Sequence, residues 1–293
     1  MLRSQLCTYA TLTSPTFLAW AERLRPAWDP EGTDPRPVMI HRKMWEWLFI
    51  INALEERDML GAEMRGLGFG VGREPLVAAF AATGCTILAT DQSVADARAT
   101  GWTDTGHEYA HGLDGLNVHR LCPTALFFER VSYRDVNMLA LPLDLGEFDF
   151  TWSSCAFEHL GTLEAGIEFV IGQMRYVRSG GVAVHTTECN VSSSDRTIDS
   201  GATVLYRRKD LEALALRLHR LGYEVDLDLR EGDTLADSHV DLPPFSDTHL
   251  RTALGEFVTT SAGLVIERPR RPRSPIARLC GLVTKRRGLP STI

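Results

Sequence analysis

The run Gly66-Leu67-Gly68-Phe69-Gly70-Val71-Gly72 constrains this chain more than any other. Glycine occupies every second position. The run joins an apolar stretch, Met64–Gly68, to a segment of helical pattern that opens near Glu74-Pro75. Glycine lets a backbone turn tightly and approach a ligand with no Cβ in the way. Taken alone, the pattern fits a nucleotide-binding turn or a bare turn.

The residues that follow supply context. Strand-like runs occur at Met64–Gly68, Thr86–Asp91, Val131–Val136, Phe148–Ser154, Val182–Thr187, Glu224–Leu229 and Gly263–Glu267. Helical patterns at Glu74–Thr83, Val94–Thr100, Leu163–Val177 and Lys209–Leu221 separate most of them, and Gly84, Gly180-Gly181 and Gly222 read as helix ends. Strand alternating with helix predicts an α/β fold: a mostly parallel sheet of seven strands with helices on both faces. The last two strands, with no clear helix between them, are expected as an antiparallel hairpin at one edge. Ahead of the sheet, Met44, Trp47, Leu48, Ile51, Leu54 and Leu60 recur at helical spacing, so residues 1–60 read as an N-terminal helical extension. Residues 61–270 read as the main domain and 271–293 as a basic tail. Glu188–Arg207 and Glu231–Leu250 follow the proposed fifth and sixth strands and are expected to wall a substrate pocket, since ligands in open α/β sheets sit beyond the strands' carboxyl ends.

Charge narrows the partners. Net charge is −7, yet from Arg268 onward there are eight Lys/Arg and no acid, so the preceding residues carry −15. A body that acidic repels phosphates, so bulk nucleic acid is not expected as a partner. No apolar run approaches the ~20 residues of a membrane span, and no apolar core follows Arg3 as a secretory signal would require. The six cysteines form no CxxC pair and suit a reducing, cytoplasmic setting.

Asp91 ends the second strand, nineteen residues after Gly72. An ionised carboxylate there offers two acceptor oxygens to the hydroxyls of a ribose, and a helix N-cap is the alternative. Asp135, ending the third strand, is placed to accept from an adenine amino group or to start a turn.

With these residues in view, GLGFGVG, TILATDQ, SYRDVNMLALP, FDFTWSSCAFEHL and MRYVRSGGVAVHTTE resemble, in order and spacing, the class I S-adenosylmethionine-dependent methyltransferases over about residues 60–270. The resemblance implies a Rossmann-like fold and S-adenosyl-L-methionine as cofactor. It implies that Gly68, Phe69, Gly70 and Gly72 line the methionine part, that Asp91 holds the ribose with Gln92 beside the adenine, that Asp135 and Val136 read the adenine edge, and that Ser153 and Ser154 face the methyl donor. The chain departs from the family at Gly66, where an acidic residue is usual, so Glu74 or a backbone carbonyl takes over the cofactor's amino group.

For catalysis, Glu158-His159 after the fourth strand and His185 and Glu188 in the fifth are the candidates. His159 is the expected general base, because imidazole titrates near neutrality, with packing beneath the cofactor as its alternative and a core position as that of His185. CAFEHL also resembles the Glu-x-x-Glu-His element of metal-assisted O-methyltransferases, with Cys155 in place of the first Glu, so a divalent metal stays open and no ligand is assigned. The expected acceptor is a hydroxyl of a small molecule or glycan, with His239, Asp241 and Asn190 as candidate contacts. Two readings compete. His107-Glu108-x-x-His111 matches the pattern of zinc hydrolases, and a non-catalytic cofactor-binding scaffold would show the same glycine frame.

Overall fold

Successive side chains of a strand point to opposite faces, and the central strands here are apolar at both parities. The computed structural model, which describes residues 1–104, 109–245 and 248–270, accordingly shows one sheet with a hydrophobic core on each face. Among the described residues the sheet has eleven strands: β1 (Ser4–Leu6), β2 (Arg65–Phe69), β3 (Thr86–Asp91), β4 (Val131–Asp135), β5 (Phe148–Ser154), β6 (Val177–Asn190), β7 (Tyr206–Arg207), β8 (Leu227–Asp228), β9 (Val240–Asp241), β10 (Arg251–Leu254) and β11 (Phe257–Glu267). The helices are α1 (Tyr9–Leu12), α2 (Pro15–Arg23), α3 (Arg25–Trp28), α4 (Arg42–Glu55), α5 (Leu76–Ala82), α6 (Val94–Ala99), α7 (Thr124–Arg130), α8 (Leu163–Gln173), α9 (Arg208–Arg220) and α10 (Leu235–Ser238). None is long and apolar enough to cross a membrane.

The main path runs β4-β3-β2-β5-β6-β11-β1-β8. Strands β4 through β6 along this path are parallel, and β11 is antiparallel to β6. This is the Rossmann-like α/β class, with its change of direction between β2 and β5, where such sheets bind ligands. Helices α2, α4, α5 and α7 cover one face. Helices α8 and α9 cover the other.

Four details differ from the sequence reading. The expected seven strands gain short additions, and one of them, β1, lies within residues 1–60: it pairs antiparallel with β11 and parallel with β8. Residues 1–60 therefore give three residues to the sheet before the helices α1 to α4. β1 also separates β8 from β11, leaving a single bridge, Glu224 to Glu267, of the expected pairing. The antiparallel hairpin that forms is β10 with β11. Finally, Gly180-Gly181 do not end a helix. α8 stops at Gln173, a 3-10 turn covers Met174–Tyr176, and the glycines lie inside β6 at a register shift.

Packing explains two of the glycines in the opening motif. A Cβ on Gly66 would stand 2.4 Å from Phe150 Cζ, and one on Gly68 2.4 Å from Trp152 Cζ2. The rings of β5 lie over β2 because β2 carries no side chain at those positions. Both rings are fully buried under α5, where Phe80 meets them edge-on. An alanine at Gly68 runs into the Trp152 ring and Val71, so Gly68→Ala is expected to cost about 1–3 kcal/mol in urea unfolding. Gly172→Ala in α8, whose Cβ meets nothing nearer than 3.5 Å, is expected to be neutral or stabilising.

Candidate functional site

β2 delivers the chain to a turn in which Gly70 (φ +56°) and Gly72 (φ +50°) adopt left-handed conformations. A Cβ on Gly70 would meet Ala156 Cβ at 3.0 Å, so this cradle also has no room for one. The turn is stitched to β3: Val71 N–H donates to Thr90 O at 3.2 Å and Thr90 Oγ1 to Gly68 O at 2.7 Å. The Asp91 carboxylate closes it, accepting from Gly72 N–H at 2.9 Å through Oδ2 and from Gln92 N–H at 2.8 Å through Oδ1. Asp91 is 7% exposed. Burial raises its carboxyl to about 6, against the pull of the two backbone donors and with a further push from Asp135. Each oxygen keeps a lone pair for a ligand hydroxyl.

Beside the turn, at the carboxyl ends of the parallel strands, lies a cavity of about 800 Å³. Gly70, Gly72, Asp91, Gln92, Val136, Asn137 and Met138 line it, with Asp96 and Ala99 of α6, its C-cap Thr100, and Tyr109, Val118 and His119 from the segment after it. Tyr109 donates to Gln92 O at 3.2 Å. Ser154, Cys155, Ala156, His159, Leu160 and Glu188 form another part, facing Trp102. Arg42, Lys43 and Trp47 of α4, with Glu74, complete it.

The α4 residues belong to a charge cluster. Glu46 is fully buried. It pairs with Arg42 (3.3 Å) and Lys43 (2.9 Å) and accepts from Ser261 Oγ and, at 3.5 Å, Ser154 Oγ. Burial alone would raise its carboxyl, yet Lys43, Arg42 and the Ser261 donor hold it well below the usual range. Arg42 also donates to Glu188, whose second oxygen, Oε2, is buried without a partner. Lys43 reaches Glu74 at 3.2 Å. Cys155, at the tip of β5, is a non-glycine residue at φ +43°, a strained conformation of the kind found at functional sites. Burial pushes its thiol up, so it stays protonated.

The structure sorts the expected residues. Gly70, Gly72, Asp91, Gln92, Val136, His159 and Glu188 all border the cavity. His159 packs edge-on against Trp102 and its Nδ1 is 2.9 Å from Ala202 O. Thr203 Oγ1 is 3.1 Å from the same nitrogen; because a carbonyl only accepts, the contact to Ala202 favours the tautomer with the hydrogen on Nδ1, which leaves Nε2 as the lone-pair nitrogen. Six others do not border it. Gly68 sits beneath Trp152, and Phe69 is buried against Phe169 and Tyr176. Ser153 and His185 are fully buried and bonded to each other at 2.8 Å on the α8 face, because strand alternation turns Ser154, not Ser153, toward α4. Burial drives His185 down to about 3, which makes it a neutral core residue and no base. Glu158 is fully buried, accepts from Thr187 Oγ1 at 3.1 Å, and is pushed up by burial.

Asp135 also stands off the cavity wall, its side chain 46% exposed and 3.8 Å from His111 Nε2. Of the two loops expected to wall the pocket, Glu188 is the one contributor among the described residues. Asp241 is buried against His249 Nδ1 at 2.6 Å, and Asn190 braces its own loop through Arg196 O and Ser192. The first two residues of His107-Glu108-x-x-His111 lie outside the described residues, as does the tail 271–293. Among the described residues no three His, Cys, Asp or Glu side chains are grouped to hold a metal. Arg42, Lys43 and Glu46 were missed. Their signal is a glutamate four residues after an arginine on the mostly apolar stretch 44–54.

No family model matches the chain, and no curated protein matches it. Solved structures similar to it include a putative sarcosine dimethylglycine methyltransferase from Galdieria sulphuraria, at 15% identity and TM-score 0.47, covering 77% of this chain and 86% of that one. The methyltransferase domain of bacterial CtHen1-CN is similar at 14% identity and TM-score 0.46, over 78% of this chain and all of that one. Geranyl diphosphate C-methyltransferase from Streptomyces coelicolor A3(2), in complex with Mg2+, geranyl diphosphate and S-adenosyl-L-homocysteine, is similar at 13% identity and TM-score 0.48, over 92% and 91%. These likenesses are low by both measures, and the fold assignment stands on the strand order of this chain.

Asp91 sets a pH dependence. A carboxyl raised from 3.8 to about 6 on folding favours the folded state at low pH, and that contribution is lost as pH rises through about 6. The shift corresponds to on the order of 3 kcal/mol at most. Urea unfolding of wild type and Asp91→Asn at pH 4.5 and pH 7.5 is expected to show the stability difference moving in favour of the variant at the higher pH.

Proposed function

We propose that this chain is an S-adenosylmethionine-dependent methyltransferase that methylates a hydroxyl of a small molecule. The observation that carries the reading is the closed ring of Gly70, Gly72 and Asp91 opening on the cavity at the sheet's change of direction. The residues suit that cofactor. A glycine cradle admits its chain closely, Asp91 accepts from ribose hydroxyls, Gln92, Val136 and Met138 flank the adenine end, and the cavity has ligand dimensions. The cofactor supplies a methyl on a sulfonium, an electrophile that needs no metal to activate it.

The chain's own task is to align an acceptor and take its proton. His159, with Nδ1 fixed by Ala202, presents Nε2 as a base. Glu188, with one oxygen held by Arg42 and the other bare, is a second acceptor for a hydroxyl proton. A cavity of about 800 Å³ has room for a cofactor and a small acceptor.

Isothermal calorimetry with S-adenosylhomocysteine tests the core of the reading. Binding is expected, and its absence in folded protein overturns the assignment. Ribose hydroxyls need an ionised Asp91, so affinity is expected to fall by about tenfold per pH unit below about 6. For catalysis, His159→Ala is expected to lower kcat by about 10²-fold with S-adenosylhomocysteine affinity unchanged. Unchanged turnover in both His159→Ala and Glu188→Gln would remove the base chemistry while leaving cofactor binding in place.

A further inference from the structure

Glu188 stands in the cavity wall with half of its carboxylate unused. Arg42 holds Oε1, while Oε2 is enclosed and has no hydrogen-bond partner. A buried carboxylate oxygen left bare is costly, so the site is built for a donor to reach it. A hydroxyl or an ammonium meets that need, and the charge around the cavity decides between them. Among the described residues, Arg42, Lys43 and Arg73 are the cations of the lining. Glu74, Asp91, Asp96 and Glu188 are its anions, and the buried Glu46 adds one more behind Arg42 and Lys43. With the histidines neutral, the anions lead by two. S-adenosylmethionine carries a sulfonium, an ammonium and a carboxylate, so it returns one positive charge and leaves one negative charge unmatched. Glu158 reports the same excess from inside: burial pushes its carboxyl up, and the Glu188 charge pushes it further. Farther out, the residues before Arg268 carry −15, a field that draws cations in and turns anions away. Trp47 and Trp102 border the cavity as well, and indole faces favour cations.

We propose that the methyl acceptor carries an amine as well as its hydroxyl, and that the Glu188 carboxylate seats the ammonium. The inference rests on the methyltransferase reading above and names its acceptor class. An ammonium has no lone pair, so a nitrogen held on Glu188 is not a nucleophile and the methyl goes to oxygen. There the oxygen forms its bond to the methyl carbon while the carbon–sulfur bond breaks onto sulfur, and the hydroxyl proton passes to His159 Nε2. Glu188 thus selects the acceptor, and His159 keeps the proton transfer. Arg42 fixes which oxygen of Glu188 stays open.

Calorimetry on protein saturated with S-adenosylhomocysteine tests this with two sets of matched probes. One set is tyramine, para-propylphenol and para-hydroxyphenylpropionate; the other is aminopropanol, butanol and hydroxybutyrate. Within a set the shape is kept and the far end is cationic, neutral or anionic. In at least one set the cationic member is expected to bind about tenfold more tightly than the neutral one, and the anionic member more weakly than either. Glu188→Gln is expected to erase that preference and leave S-adenosylhomocysteine affinity unchanged. The wild-type ranking stands even if the variant does not fold. No preference for the cation in either set, or no binding of any probe, overturns the proposal, while bound S-adenosylhomocysteine keeps the cofactor reading. A cation preference that persists in folded Glu188→Gln overturns the role of Glu188, and a product methylated on nitrogen overturns the choice of oxygen. Protein that binds no S-adenosylhomocysteine removes both readings.

Discussion

A carboxylate with no exposure to solvent organises this molecule. Glu46 lies inside the contact between α4 and the sheet, bonded to Arg42 and Lys43 on its own helix, to Ser261 on β11 and to Ser154 on β5. Burying an ion is costly unless every partner is present, so the cluster fixes one docking of α4. A cavity follows from that docking. Arg42, Lys43 and Trp47 project over the carboxyl ends of the strands, and the glycine turn below gains a roof. Beside it, Gly263 admits the Phe49 ring where any Cβ would stand 2.3 Å away. The apolar part of the contact thus places the helix and the ionic part orients its first turn.

The opening glycine motif does two different jobs. Gly66 and Gly68 belong to the sheet, where they leave space for Phe150 and Trp152. Gly70 and Gly72 belong to the site, where positive φ values shape the turn that borders the cavity and Gly72 N–H donates to Asp91. The division falls where the strand ends. Alternation then divides the neighbouring strands in the same way. Ser154 faces the charge cluster, while Ser153 turns to His185 among aromatic rings of the opposite core. One residue of shift separates a cavity wall from a dry interior.

The period of the apolar residues and the glycine punctuation were enough to predict the α/β class, the strands at β2 through β6, and the turn that Asp91 closes. These are local properties: a strand, a turn and a helix each declare themselves over a few residues, and Asp91 is near Gly72 because parallel neighbours β2 and β3 bring their ends together. What the sequence could not decide was anything set by contact between distant segments. The three residues of β1 complete a sheet built from the far end of the chain, and nothing within Ser4–Leu6 says so. His185 and His159 look alike as candidate bases in sequence. Only the packing of β6 against α8 buries the first and leaves the second at the cavity. The charged roof is likewise tertiary, because Arg42 and Lys43 gain their meaning from Glu188, Glu74 and Ser261, and those residues meet only after the sheet has closed.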